Sequence, residues 1–418
     1  MAEKFTASLR AYTLGLLTLI WAANFLDRQI FAILLQSIKT DMSLTDTQLG
    51  LLGGLAFSIF YSAFGLPLAY MADRFNRKRL IITALSLFSV MTYICGLAQN
   101  YWQLLLVRMG VGIGEAGTNP PSVAMISDMY PAEARATPLA LFALGANIGI
   151  FAAFFLGGWV AQHYGWRVTF QVMALPGLAL AVMAMFTLRE PTRGLSDGVA
   201  PATAPPMLDV IKFMFAAKSM RHLIFALALV FAVGNGAIAW VPAYLIRVHE
   251  MTTSQIGVVL ALIVGVGGAG ATAICGYWAD RLGRRDSRWN FWLLGVIAIS
   301  ATPFLILAFA THSVSWAIVF LLPSISMSLV YLGPALAMIH SVVRPEMRAV
   351  ATAVMMFICN MLGLGMGPLL VGLISDIFTP QFGVFGLAVP LMILSLLSLW
   401  GGMHFFWAAK FLRQDLAK

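Results

Sequence analysis

Charge is what this chain has least of. Of its 418 residues 10% are Asp, Glu, Lys or Arg, while 60% are hydrophobic. Soluble domains carry roughly 25% charged residues, so an ordinary water-soluble fold is excluded. Cysteine is scarce as well. Cys95, Cys275 and Cys359 stand singly in apolar stretches, without the spacing of a metal centre or a redox pair, so no metal and no other cofactor is expected. Segments of about ten residues with alternating polarity, the mark of a membrane β-barrel, are missing. So are a phosphate-loop lysine, a nucleophile arrangement and any Asn-x-Ser/Thr sequon.

What fills the chain instead is apolar runs of about 20 residues or more, enough to cross a bilayer at 1.5 Å per residue. Twelve are expected, at 11–36, 49–72, 80–98, 102–127, 137–161, 168–188, 221–246, 256–279, 290–310, 314–341, 347–374 and 383–409. The fold class is therefore an all-α membrane protein with almost nothing left for a soluble domain. The first run exceeds a signal-peptide core and no small-residue cleavage site follows it, so it is read as a retained helix.

The net charge of +9 does not point to nucleic acid, because of where the charge lies. With the amino terminus inside, the cytoplasmic segments hold 21 Lys and Arg, and the outer loops only Lys39, Arg167 and Arg247. This positive-inside bias places both termini in the cytoplasm. Short termini and the missing sequon suit a bacterial inner membrane.

The chain is also written twice. "AYMADRFNRKR" from Ala69 returns as "GYWADRLGRR" from Gly276, so that Asp73 and Asp280 lie 207 residues apart, as do Gln48 and Gln255, and Gly50 and Gly257. "PSVAMISDMYPAEARA" from Pro121 returns as "PALAMIHSVVRPEMRA" from Pro334 at an offset of 213, which also pairs Asn147 with Asn360. Two six-helix bundles are expected, 1–188 and 221–418. Between them, 189–220 begins as a Pro, Ala and Gly-rich linker and ends in "MLDVIKFMFAAK", whose helical periodicity suits a short helix on the membrane surface.

With these motifs in view, the chain resembles transporters of the major facilitator superfamily. The "ADRFNRKR" turn is similar to that family's signature between helices two and three, with Ala69 where a glycine is usual and Gly276 keeping it in the second copy. "NFLDRQ", "RMGVGIGEAG" and "MADRFNRKR" together resemble the Spinster-like branch, whose members are associated with lysolipid and sphingoid-phosphate transport. The resemblance implies two bundles around a central cavity that opens alternately to each side, with substrate near the midplane between repeats. It also implies that helices one and four line that cavity and that Arg108 takes part in proton coupling.

Four charged residues, Asp27, Arg28, Arg108 and Glu115, lie deep within spans. Facing lipid, each would cost about 2.5–3.5 kcal/mol, a sum on the order of 10 kcal/mol, comparable to the net stability of a whole domain. They must face protein or a water-filled cavity. Arg108 and Glu115 are seven residues apart, hence on one helix face, and Asp27 reaches a comparable depth from the opposite direction. The glycines Gly110, Gly112, Gly114 and Gly117 would admit a neighbouring helix. A buried ion cluster that only joins helices is the plain structural reading. Against it, Asp27 and Arg28 correspond at offset 207 to Gly234 and Asn235, and symmetric scaffolding has no need of charge in one half alone.

The functional expectation is a proton-coupled secondary transporter, not an enzyme. Asp27, Glu115 and Arg108 carry the coupling, since a buried carboxyl is neutralised by desolvation and kept ionised by a nearby Arg. Arg28, Asn235 and Trp240 bind substrate, an amphipathic anion such as a lysolipid or sphingoid phosphate. Asp73, Arg77, Asp280 and Arg284 gate the cytoplasmic side, the two aspartates as helix caps and partners of nearby arginines. His340 suits interfacial packing better than proton transfer. Expected partners are the substrate, protons and membrane lipids, with no nucleic acid and a monomeric chain. A symporter of small soluble organic anions is the alternative, because a guanidinium suits carboxylate as well as phosphate; a membrane receptor or enzyme is the alternative of another class. Cysteines introduced beside Arg77 and Arg284 are expected to react only with reagents that reach the cytoplasm; labelling of intact cells from outside at either loop would contradict the topology.

Overall fold

A computed structural model of the protein describes residues 6–131, 134–193 and 206–416. Positions 132–133 of the second repeated motif and 194–205 of the expected linker lie outside the described residues. Among the described residues there are helices and turns but no strand. The α-helices are α1 (Ala7–Met42), α2 (Asp46–Gly50), α3 (Ala56–Arg74), α4 (Arg77–Cys95), α5 (Tyr101–Ala116), α6 (Asn119–Met129), α7 (Ala136–Thr187), α8 (Met207–Ala216) and α9 (Lys218–His249). They continue with α10 (Thr253–Leu260), α11 (Gly268–Gly283), α12 (Trp289–Ala310), α13 (Val314–Met327), α14 (Leu332–Val342), α15 (Arg348–Ile358), α16 (Gly367–Phe382) and α17 (Ala388–Leu416). Wider π-helical turns join α2 to α3 at Leu51–Leu55, α10 to α11 at Ala261–Gly267, and α15 to α16 at Cys359–Met366.

Nine continuous helical stretches among the described residues are long and apolar enough to span a membrane, and three local breaks bring these to the expected twelve. α7 has 52 residues, about 78 Å at 1.5 Å per residue, more than twice a hydrocarbon core of about 30 Å. It is interrupted at Gly165, whose φ of 79° lies in the left-handed region open to glycine. The stretch from Arg348 to Leu416 has 69 residues and breaks at Gly383, φ 56°. α5 and α6, 16 and 11 residues long, are each too short alone; Gly117 and Thr118 divide one span just ahead of Pro120 and Pro121.

The helices pack as two compact units, and the chain passes between them more often than the expected single linker implies. Among the described residues, unit 1 takes those up to Leu44, 56–193 and Thr252–Ala261; unit 2 takes Thr45–Leu55, 206–251 and 262–416. In unit 1, α1 lies along α7, and α4 packs on α5 and α7. The polypeptide after α7 is tied here too: Glu190 accepts from the Arg77 N–H at 3.0 Å, and the Arg193 guanidinium donates to the carbonyls of Ala72, Asp73 and Phe75 at the end of α3. In unit 2, α9 and α12 flank α17 around a core that includes Leu223, Leu227, Leu294, Phe405 and Leu412. α8 joins that unit through Val210 and Met214, leaving Met207, Leu208 and Phe215 exposed.

The two short segments allotted to the other unit begin alike. Thr45 and Gln48, and again Thr252 and Gln255, form capping boxes that satisfy the first amide groups of α2 and α10. Their anchorage differs. In unit 1 the Thr253 N–H donates to the Gln162 side chain at 3.0 Å, a neutral contact. In unit 2 Asp46, with 0% exposure, accepts from both terminal nitrogens of Arg247 at 2.7 and 2.8 Å and from the Ser375 hydroxyl at 2.6 Å. Asp376 in turn accepts from the backbone N–H groups of Asp46 and Thr47 at 2.9 and 2.7 Å, as suits a carboxylate at a helix N-terminus. Asp46 and Asp376 went unremarked in the sequence because both lie at the ends of spans. Breaking a buried ion pair from one side costs about 3–5 kcal/mol. Asp46→Ala is therefore expected to lower the thermal unfolding midpoint of the purified protein far more than Asp41→Ala, which removes an exposed pair with Arg167; equal shifts would contradict this.

Candidate functional site

The four charges deep within the spans come together in unit 1, in pairings that only the fold settles. Neighbours on a helix point about 100° apart, at 3.6 residues per turn, so Asp27 and Arg28 face different partners. The Arg28 guanidinium turns to α5, where its Nε and Nη2 both donate to Glu115 Oε2 at 3.1 and 2.8 Å. Asp27 turns to α4 and accepts from the Thr92 hydroxyl. Glu115 is fully buried, while 14% of the Arg28 side chain is exposed. The pair therefore has one closed end and one open to whatever reaches that side chain.

Neutral polar groups complete the frame. Asn24, one turn before Arg28, donates to the Glu115 carbonyl and the Thr118 hydroxyl, both at 3.3 Å. Thr118 donates back to the Glu115 carbonyl at 3.1 Å. This satisfies a backbone acceptor exposed where α5 gives way to α6, a need that every broken helix has within a membrane. Aromatic rings surround the cation: the Arg28 guanidinium carbon lies 5.1 Å from the Phe25 ring centre, 5.3 Å from Phe57 and 4.7 Å from Tyr61.

Arg108 does not join Glu115 as its helical register suggests. It is 1% exposed and lies against the rings of Phe31 and Phe57 at 4.7 and 5.3 Å. Phe57 thus touches both guanidiniums. Cation–π contacts within about 6 Å of a ring centre gain strength when desolvated. Four atoms of the cluster, Arg108 Nε and Nη1, Asp27 Oδ1 and Glu115 Oε1, have no hydrogen-bond partner among the described residues. Each carboxylate keeps one oxygen able to accept a proton or a new donor.

Asn235 is half-buried in α9, its amide donating to the Phe231 carbonyl at 2.9 Å. Trp240 is fully buried, its indole N–H donating to the Pro368 carbonyl at 2.8 Å; its surroundings are those of a packing residue within unit 2 rather than of a surface open to ligand. Arg77 pairs with Asp128 of α6, and its Nε donates to the Ala72 carbonyl at 3.2 Å. Asp73 is exposed and does not cap α4; Asn76 does, accepting from the Arg79 N–H at 2.8 Å. Asp280 and Arg284 are exposed at the end of α11, where their backbones, not their side chains, bond to each other at 3.2 Å. In the turn that follows, hydrogen bonds from Arg288 hold the Asp286 carboxyl well below the usual carboxylate range. His340 bonds the Thr352 hydroxyl at 2.9 Å, in keeping with packing.

Helical spans in two packed units, a doubled loop motif and an ion cluster in the first unit are features of one transporter fold, and residues 17–368 match the model of the Major Facilitator Superfamily. The chain belongs to the major facilitator superfamily. Within it the chain is Spinster-like. It is similar to the solved bacterial homolog of the human lysosomal transporter Spinster, with 28% identity and a TM-score of 0.88 over 98% of this chain and 99% of that one. Among sequences it is 30% identical to an MFS-type efflux pump of Mycolicibacterium smegmatis, over 96% of this chain and 93% of the pump. It is 26% identical to the sphingosine-1-phosphate transporter SPNS2 of Danio rerio, over 97% of this chain and 85% of that protein. The protein is thus an integral, multi-pass transporter and not an enzyme.

Sequence reasoning passed over Asn24, Thr92 and Thr118, which position this transporter's charges without carrying any. A signal was present: Asn24 precedes Arg28 by four residues and Thr118 follows Glu115 by three, the spacings that place helical side chains on one face. The glycines of α5 are places of close approach, as their spacing implies. A methyl group added at Gly112 would stand 2.7 Å from the Phe57 carbonyl oxygen, and one at Gly114 2.7 Å from the Phe88 nitrogen. Gly112→Ala is expected to push α5 from α3, displace the ring shared by Arg28 and Arg108, and destabilise the protein by about 1–3 kcal/mol, as overpacking does. Thermal unfolding checks this, with Gly65→Ala, where no atom lies within 4 Å of the added carbon, as the control expected to change little.

Proposed function

We propose that this chain is a proton-coupled secondary transporter that works by alternating access and moves an amphipathic anion such as a lysolipid or sphingoid phosphate. The observation that carries the reading is that Arg28, the partly exposed member of the cluster, has a titratable group as its counter-ion, Glu115 at 2.8 Å. An incoming phosphate or carboxylate competes with Glu115 for the same guanidinium donors, whose planar fork suits either anion. A buried carboxylate that loses its cation is strongly destabilised in its charged form and takes up a proton. Substrate arrival and protonation are thereby linked through one side chain.

Asp27 is the second proton carrier in this scheme, and Arg108, held in its aromatic cage, supplies the fixed positive charge that favours ionisation of both carboxyls. Asn235, half-buried in α9, is the neutral polar substrate contact in this scheme, while Trp240 stabilises α9 from within. Arg77, Asp73, Asp280 and Arg284 belong to the loops that gate the cytoplasmic side, and the positive-inside bias puts those loops and both termini there, in a bacterial inner membrane. The preference for an amphiphile draws support from the apolar and aromatic surroundings of Arg28 and from the similarity to the sphingosine-1-phosphate transporter. A small soluble organic anion is the competing substrate class.

Two measurements on the protein in liposomes test the reading. Glu115→Gln is expected to abolish accumulation driven by a proton gradient while preserving folding and substrate exchange; accumulation equal to the parent's would make Glu115 purely structural. In competition binding, a long-chain lysophosphate is expected to bind at least ten-fold more tightly than its head group alone, and Arg28→Ala to weaken both. Equal affinity for the bare head group would replace the amphiphile with the soluble organic anion.

A further inference from the structure

Away from the buried cluster, the seam between α9 and α17 in unit 2 carries an ordered set of side chains to which transport assigns no task. Along α9 the series is Lys218, Arg221, His222 and Phe225; along α17, running the other way, it is Lys410, Trp407, His404 and Trp400. Spacings of three and four keep each series on one helix face. At the first level Lys218 and Lys410 are exposed, with their ammonium nitrogens 5.2 and 5.9 Å from the centre of the same Phe411 ring. One turn further in, His222 Nδ1 and His404 Nδ1 are 2.9 Å apart, so one imidazole donates to the other. Beyond them Phe225 and Trp400 are about half exposed, at 51% and 52%.

The polarity therefore falls along the seam from ammonium groups, through imidazole N–H, to bare aromatic surface. That is the order of a phospholipid lying against a protein, from head group to glycerol to acyl chain. No acidic residue occurs between 218 and 225 or between 400 and 413. The nearest carboxylate in sequence, Asp415, is buried and accepts from the Ser219 N–H and hydroxyl at 2.8 and 2.7 Å. Arg413 is turned to Asp286 at 3.1 Å and is left out of the set. The histidine contact adds a specific donor: when one Nδ1–H lies between the two rings, the accepting ring carries its proton on Nε2, an N–H available to a phosphate oxygen. A metal is a poor occupant, because two nitrogens make half a tetrahedral site and no group of three or more His, Cys, Asp or Glu able to hold one occurs among the described residues.

We propose that the α9–α17 seam binds an anionic phospholipid of the surrounding leaflet, its phosphate held by Lys218, Arg221, Lys410 and the His222–His404 pair, and its acyl chains lying on Phe225 and Trp400. The site is separate from the Arg28–Glu115 cluster and stands whether or not the transport reading does. Basic groups beside a membrane surface favour anionic lipid by roughly fivefold each, and clefts of this kind between helices are where such head groups settle.

The test is lipid retention by the full-length protein, purified in detergent and read by native mass spectrometry, with phosphatidylglycerol and phosphatidylcholine of identical acyl chains. The unaltered protein is expected to keep phosphatidylglycerol at least ten-fold better than phosphatidylcholine. Lys218→Ala with Lys410→Ala is expected to bring that ratio near unity, and His404→Phe, which keeps the ring and removes its nitrogens, to reduce it about fivefold. Size-exclusion profile and helical circular dichroism verify folding, and the head-group comparison on the unaltered protein needs no variant. Equal retention of the two lipids would overturn the proposal, as would a ratio unmoved in the folded double variant. Glycerol 3-phosphate serves as the chain-free probe: displacement of phosphatidylglycerol by it at matched concentration would assign the site to a soluble phosphate and overturn the lipid, whereas failure to displace supports the lipid.

Discussion

A charge inside a hydrocarbon layer has to be enclosed and partnered, and the arrangement of the first unit follows from how Arg28 and Glu115 meet that condition. Their contact at 2.8 Å ties α1 to the last turn of α5 through the long Arg28 side chain. Holding it there needs Asn24 and Thr118 to satisfy the backbone where α5 stops. Sheltering the guanidinium needs Phe25, Phe57 and Tyr61, and Phe57 comes close enough because Gly112 has no side chain to keep α3 away. Ion pair, glycine and aromatic cage are thus one device. Neutral residues join membrane helices at about 0.6–2 kcal/mol per contact, so joining helices does not by itself require charge. A titratable counter-ion beside a cation that remains partly exposed is the distinguishing feature.

The doubled chain shows how one backbone plan takes two chemistries. Capping boxes at Thr45 and Thr252 start matching helices, and both segments are allotted to the unit opposite the neighbouring stretches of chain. The copy in unit 2 is fastened by carboxylates, Asp46 on Arg247 and Asp376 on the first amides of α2; the copy in unit 1 is fastened by the neutral amide of Gln162. Where the first half places Asp27 and Arg28 the second has Gly234 and Asn235. Each unit therefore concentrates ionic interactions where the other is neutral. The π-helical turns at Leu51–Leu55 and Ala261–Gly267 lie at or beside the boundaries where the chain changes unit, in line with the tendency of such turns to fall at functional positions in helices.

How much was legible beforehand depended on range. Apolar run length and composition depend only on neighbours in the chain, so the helical membrane class and the number of spans could be read directly, and repeats at offsets of 207 and 213 exposed the two-part plan. The scarcity of charge made Asp27, Arg28, Arg108 and Glu115 conspicuous, because hydrocarbon penalises each one. Neutral partners such as Thr92 and Asn24 carry no comparable penalty and stayed inconspicuous.

The sequence by itself determined that this protein lives in a membrane, is built twice, and keeps its deep-span charges in the first half, since these follow from solvation and repetition. Tertiary structure alone decided the pairings. Arg28 and not Arg108 meets Glu115, Asp27 turns to Thr92, Trp240 is enclosed, and Asn76 caps the helix that Asp73 was expected to cap. A difference of one residue rotates a helical side chain by about 100°, and which neighbour stands there depends on how helices pack, something no local pattern records.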